Sequence, residues 1–293
     1  MAKQRRIWAA IFLALPMFIY VSIVILPLIS SFYYSFTDWN GFNADFNLIG
    51  FKNYEKMFSD RLFANAIGNT IIWTIAAVLL PTIGGLALAL TLHGRGFFSR
   101  IYKSLFYLPI SLSLVVIGQV WIWIYQPDWG LINITLEGIG RGDLTQAWLA
   151  RPQYALYAVI LAWTWQQTAL AMVIFLAGLT SVPPELLEAA EIDGASYWQV
   201  TRRVTIPLLA PATVVVIALG VINSLKSFDV LYIMTRGGPF HSSDNLAMFM
   251  YNESFQKYNM GYGSAIAIVL FLITLVVIVV YFRLSTNLEH LYD

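Results

Sequence analysis

Apolar positions along the chain gather into six long runs, at residues 7–32, 67–92, 101–125, 154–179, 206–233 and 264–282. A bilayer core needs roughly 20 largely apolar residues to be crossed as a helix, and each run comes close to or exceeds that length. Between them lie polar stretches bearing Gly and Pro, at 37–66, 126–152 and 235–263, which read as loops or short surface helices. The pattern predicts an all-α, polytopic membrane protein with six transmembrane helices, folded as a single domain over 1–293.

Composition supports lipid as the solvent. The chain is 59% hydrophobic and 11% charged, whereas soluble domains are about one quarter charged. A net charge of +1 without a basic stripe excludes nucleic acid as a partner. The absence of cysteine removes disulfides, zinc-thiolate sites and a cysteine nucleophile. Lys3, Arg5 and Arg6 precede the first run as they would in a secretory signal. However, that run is longer than the roughly 7–15 residues of a signal core, so it is read as a retained first span. Cytoplasmic loops are enriched in Lys and Arg. One side collects Lys3, Arg5, Arg6, Arg95, Arg100, Lys103, Arg202, Arg203 and Arg283, which predicts that both termini are cytoplasmic. Aromatics near the predicted span ends, such as Trp8, Tyr33, Trp129 and Tyr281, suit the membrane interfaces.

The loop at 182–205 is the most informative segment. Pro183 and Pro184 can open a helix, with Glu185 in its first turn, where an anion complements the helix dipole. Asp193-Gly194 stops it, because Gly tolerates a left-handed backbone. A second helical segment starts near Ser196, passes Trp198 and Arg203, and leads into Pro207. Glu185, Glu188 and Glu191 mark one acidic edge beside Leu186, Ala189, Ala190 and Ile192. Such a surface fits a groove on another protein, or an amphipathic connector lying on the membrane.

Glu188-Ala189-Ala190, then Gly194, then Val204-Thr205-Ile206-Pro207, resembles the EAA loop of the permease subunits of binding-protein-dependent ABC importers. Where that family often places an aromatic, this chain has Thr201, and Trp198 stands as a substitute anchor. "FDVLYIMTRGGP" at 228–239, "RIYKSLFYLP" and "WIWIYQPDWGLIN" extend the resemblance to the sugar-importer branch, the maltose, lactose and glycerol-phosphate permease type. The resemblance implies a type I ABC importer transmembrane domain in a bacterial inner membrane, carrying a carbohydrate. It implies partners as well: a second related permease subunit, a dimer of cytoplasmic ATPase subunits and an extracytoplasmic solute-binding protein. Coupling to the ATPase is implied for Glu185, Glu188, Ala189, Ala190, Asp193 and Gly194.

This chain itself has no GxxxxGK[ST] phosphate loop, so no cofactor is expected in it, with ATP and Mg on the partner ATPase. It has neither an HExxH helix nor a GxSxG elbow, and it is expected not to be an enzyme. His93, His241 and His290 fall in separate loops, a spacing unsuited to a metal. A secondary transporter or channel subunit for a small polar solute is the alternative reading of six spans.

Polar side chains inside spans are costly unless they face a cavity or a partner. Gln166 and Gln167, flanked by Trp163 and Trp165, and Asn223, Ser224 and Ser227 offer amides and hydroxyls suited to a polyol. The same groups could equally join helices. Resemblance to the maltose importer subunit implies substrate contacts at Gln166, Gln167, Leu170, Gly220, Asn223, Ser224 and Ser227. Lys226 and Asp229 are expected to form an ion pair.

Overall fold

The structure is a computed structural model that describes residues 12–94 and 96–289. Lys3, Arg5, Arg6, Trp8, Arg95 and His290 lie outside the described residues, as does the start of the first apolar run. Among the described residues the fold is helical throughout, with one isolated antiparallel bridge, Thr37 to Leu48, and no strand. The described residues fall into two compact units, one within Met1–Phe63 and Phe249–Leu272, the other within Ala64–Met248 and Ile273–Asp293.

The first unit contains α1 (Phe12–Tyr34), which includes a π-helical turn at Val21–Ile25, and α2 (Lys52–Ser59). The loop between them is fastened by Asn53, whose Nδ2 donates to Ser35 O at 2.9 Å and Thr37 O at 2.8 Å. Asp38 accepts the Asn47 backbone N–H at 2.6 Å and its side-chain amide at 3.0 Å. Those hydrogen bonds hold the Asp38 carboxyl below its ordinary value.

Among the described residues, four helices are long and apolar enough to cross a membrane unaided: α1, α3 (Arg61–Leu92), α7 (Pro152–Thr180) and the Met260–Tyr281 part of the last helix. The third and fifth runs depart from the expected straight spans. The third is an elbow in which Ser99–Ser111 and Leu114–Ile124 meet at 107°. Its limbs carry α4 (Phe97–Tyr107) and α5 (Leu114–Ile124). Pro109 has no N–H to continue the ladder, Leu112 is extended, and Ser113 caps α5 by accepting Val116 N–H at 3.3 Å.

The fifth run is divided twice. After α6 (Leu131–Gly138) and α7 come α8 (Pro184–Ile192), α9 (Tyr197–Val200), a π-helical turn at Thr201–Thr205, and α10 (Ile206–Leu208). The stretch Tyr197–Leu208 meets α11 (Ala210–Leu225) at 65°. Pro211, four residues beyond Pro207, cannot donate to the preceding turn, and the chain bends at Leu209. The expected span to residue 233 therefore ends at Leu225, and α12 (Asp229–Met234) follows a break. The remaining helices are α13 (Leu246–Tyr251) and α14 (Met260–Glu289).

In the second unit, α12 is held against α5 and α7 by a core containing Trp73, Tyr125, Val159, Trp163, Val230 and Leu231. A second core joins Ala89, Met172, Phe175, Leu179, Leu209 and Val216. Both cores lie around α7, so the polar residues of that helix are fixed by packing on either side.

Candidate functional site

The 182–205 loop forms the two expected helices. Pro183 occupies the N-cap of α8 with Pro184 just inside it and Glu185 in the first turn. At the other end the backbone closes on itself: Gly194 N–H donates to Glu191 O, and Ala195 N–H to Ala190 O, both at 3.0 Å. This is the Schellman arrangement, and it places Gly194 at φ +78°. Ser196 then opens α9 with a capping box, its N–H donating to Gln199 Oε1 at 2.7 Å while its hydroxyl accepts Gln199 N–H at 3.4 Å.

No residue of α8 is buried. Glu185, Glu188, Ala189, Glu191 and Asp193 are all exposed, and Ala190 is half-buried. Ile192 is 86% exposed, Tyr197 75% and Trp198 64%. Trp198 therefore does not root this segment within the chain, and its ring is left on the surface. Val200, Thr201, Thr205 and Leu209 are the buried positions instead, recurring on the inward face of the helix that leads to α11. The loop thus presents acidic and apolar side chains outward and is rooted at its second end.

The intramembrane polar residues form a chain of contacts. Asn223 Nδ2 donates to Gln167 Oε1 at 3.4 Å, and Gln167 Nε2 donates to Gln166 Oε1 at 3.4 Å. Gln166 Nε2 in turn donates to Pro109 O at 3.2 Å and Leu112 O at 2.7 Å. Both acceptors belong to the elbow of the third run, where the break in the helix leaves Leu112 O to the side chain, while Pro109 O also accepts Leu112 N–H at 3.3 Å. Gln166 is therefore committed to bracing that bend.

Gln167, Leu170 and Gly220 line one cleft with Ala77, Pro81 and Val216. Pro81 has no N–H to offer Ala77 O within α3. A Cβ at Gly220 would lie 3.0 Å from that oxygen, so α11 and α3 approach closely there. Ser224 is buried, its hydroxyl donating to Val221 O at 2.8 Å and lying 3.2 Å from Thr74 Oγ1. Ser227 is buried with its hydroxyl unpaired, while its carbonyl accepts Asn245 Nδ2 at 2.6 Å. Of the implied substrate residues, Gln167, Leu170, Gly220 and Asn223 come together, whereas Gln166 and Ser224 bond to neighbouring elements and Ser227 is buried with its hydroxyl unpaired.

The expected Lys226–Asp229 ion pair is absent among the described residues. On a continuous helix a spacing of three residues brings side chains together, but here Lys226 caps the end of α11 while Asp229 begins α12. Among the described residues no three metal-ligating groups converge. His241 instead meets a carboxylate, its Nδ1 lying 2.6 Å from Asp244 Oδ2. Sequence reasoning missed this pair, together with Asn65 and Asn69 of α3, which donate to the backbone of the same turn. An Asp three residues after a His, within the polar loop 235–263, was the available signal.

Asn223→Ala is expected to free the Gln167 amide and lower solute uptake, with little change in unfolding midpoint because the bond it removes is long. Uptake at the unaltered rate would place Asn223 outside the pathway.

Comparison with known proteins fits this architecture. Residues 81–290 match the model of the family described as binding-protein-dependent transport system inner membrane component. The chain is 37% identical over 249 residues to a probable ABC transporter permease protein of Pyrococcus horikoshii, covering 85% of each. It is 31% identical over 294 residues to the probable starch degradation products transport system permease protein AmyD of Thermoanaerobacterium thermosulfurigenes, covering 99% of each. Likewise, it is 31% identical over 282 residues to the multiple sugar-binding transport system permease protein MsmF of Streptococcus mutans, covering 96% of each. In fold it matches a chain of a bacterial ABC transporter involved in the import of the acidic polysaccharide alginate, with a TM-score of 0.84 at 22% identity, covering 98% of each. On the family match and the shared span with its relatives, the chain belongs to the family of binding-protein-dependent transport system inner membrane components.

Proposed function

We propose that this permease forms one half of the pathway of an ATP-driven carbohydrate importer and receives its driving force through the 182–205 loop. The observation that carries the reading is the connection between that loop and α11. The exposed α8 is turned back by Gly194, and the following helix runs from Tyr197 to Leu208 and enters α11, which bears Gly220 and Asn223. A pull on α8 reaches the polar residues through a short, mostly helical path. In this reading a dimer of cytoplasmic ATPase subunits, carrying ATP and Mg, grips Glu185, Glu188, Ala189, Ala190, Asp193 and Gly194.

Carbohydrate as the cargo is supported by the names of AmyD and MsmF, which refer to starch degradation products and to multiple sugars. The cleft at Gln167, Leu170 and Gly220 admits about 10 Å³ of water-accessible space, roughly one water molecule. It acts as a wall whose other side a second, related permease supplies. A solute-binding protein delivers the cargo to the side away from the 182–205 loop. Both termini then lie in the cytoplasm, and the whole chain acts as a single transmembrane domain.

The test replaces Glu188 with Ala and, separately, Gly194 with Val. A β-branched residue in a left-handed backbone is disfavoured by roughly 1–2 kcal/mol, enough to open the Schellman turn. Both variants are expected to insert and assemble, and to lose about tenfold or more of the ATPase stimulation given by loaded binding protein, as loss of a contact worth about 1.4 kcal/mol would produce. Undiminished stimulation in both would sink the docking assignment. Solute uptake by vesicles holding this chain alone, without nucleotide, would overturn the importer reading altogether.

A further inference from the structure

The turn at 235–244 is bound together more closely than a connecting loop requires. Gly238 N–H donates to Thr235 O at 2.9 Å, Ser242 N–H to Pro239 O at 3.0 Å and Ser243 N–H to Gly237 O at 3.1 Å. The Ser243 hydroxyl donates to Gly238 O at 2.6 Å and lies 2.8 Å from Thr235 Oγ1. From α3, Asn65 Nδ2 donates to His241 O at 2.7 Å, and Asn69 Nδ2 donates to Ser242 O at 2.9 Å and Asp244 O at 2.8 Å. Asp244 is fully buried beneath the turn, with His241 Nδ1 2.6 Å from its carboxylate.

This scaffold holds the backbone in a form it would not choose. Arg236, Phe240 and His241 have φ of 51°, 52° and 60°, in the left-handed region that non-glycine residues rarely occupy. Such residues persist where the surroundings over-determine them, and they cluster at functional positions. The outcome is specific: Phe240 stands 90% exposed at the crest, with Arg236 also exposed nearby. The Arg236 guanidinium lies 5.5 Å from the centre of the Tyr232 ring, which keeps it beside the turn. A rigid crest carrying an aromatic ring and an arginine has the side-chain types that protein interfaces favour.

We propose that Phe240 is the docking anchor for the extracytoplasmic solute-binding protein, presented by a turn strained and braced so that the ring is already in place before the partner arrives. The inference rests on the importer reading: a family named for its dependence on a binding protein supplies the partner, and in that reading this turn lies on the side away from the 182–205 loop. Its chemistry calls for an apolar socket on the partner with an acidic or carbonyl rim facing Arg236.

The test uses the assembled transporter and the solute-binding protein that drives uptake through it, loaded with its solute. Truncating an interface anchor raises the dissociation constant by about tenfold or more, which is the expected result for Phe240→Ala, while Phe240→Tyr retains most of the affinity. The cysteine-free sequence allows a second measurement. An environment-sensitive fluorophore on Phe240→Cys, in a complex whose other subunits lack cysteine, is expected to shift to the blue when binding protein is added and to resist a lipid-resident quencher beforehand. Equal affinity of wild type and Phe240→Ala, or strong quenching from the bilayer in the resting complex, would overturn the proposal. Failure of the wild-type complex to bind any solute-binding protein would instead remove the importer reading beneath it.

Discussion

Gln166→Leu is expected to destabilise the transporter by about 1–3 kcal/mol, the cost of a carbonyl left without a donor, because Gln166 donates to Leu112 O and adds a second donor to Pro109 O, which keeps the Leu112 N–H. The measurement is the denaturant midpoint of the purified complex, read beside solute uptake, with Gln167→Leu as the reference. Gln167 makes only bonds of 3.4 Å, so its loss should move the midpoint little. Gln166→Leu with an unshifted midpoint but abolished uptake would reverse the assignment and make the side chain a direct contact for the cargo.

Gly85→Leu is expected to be harsher. A Cβ at Gly85 would fall 2.5 Å from Ala171 Cβ and 2.8 Å from Met172 N, so the neighbour that must move is the backbone of α7. Small residues allow close helix approach in membranes, and overpacking such a contact costs typically about 1–3 kcal/mol, more where the backbone cannot relax. The variant should accumulate poorly in the membrane, as quantified by immunoblot of purified membranes. Gly84→Ala offers the contrast, since its Cβ would meet the Thr168 side chain at 3.0 Å, and a side chain can rotate away. Similar loss in both variants would mean that the α3–α7 contact is not set at Gly85.

These expectations show where the sequence was legible. The loop at 182–205 was readable because its signals are local: Pro184 sets the first turn, Gly194 permits the reversed backbone, and Ser196 reaches only to Gln199. The elbow was not, because counting apolar residues cannot distinguish one straight span from two limbs of the same composition. Its cues, Pro109 and the capping Ser113, sit inside an unbroken apolar run. For the same reason the end of α11 at Leu225 was hidden by the apolar residues of α12 that follow. The candidate site was half legible. Gln167, Leu170, Gly220 and Asn223 converge, but Gln166 could be assigned to the elbow only once the elbow itself was known.

The closure of the 182–205 loop by its own hydrogen bonds has a kinetic consequence. An interface segment that must fold as it binds gives up conformational freedom at each encounter, and its affinity is reduced accordingly. Here the Ala190–Ala195 and Glu191–Gly194 backbone pairs and the Ser196–Gln199 box are complete in the isolated chain. In the proposed coupling role, a preorganised handle of this kind is seized and released in each cycle without refolding, which would leave the tempo of transport to the proposed ATPase partner.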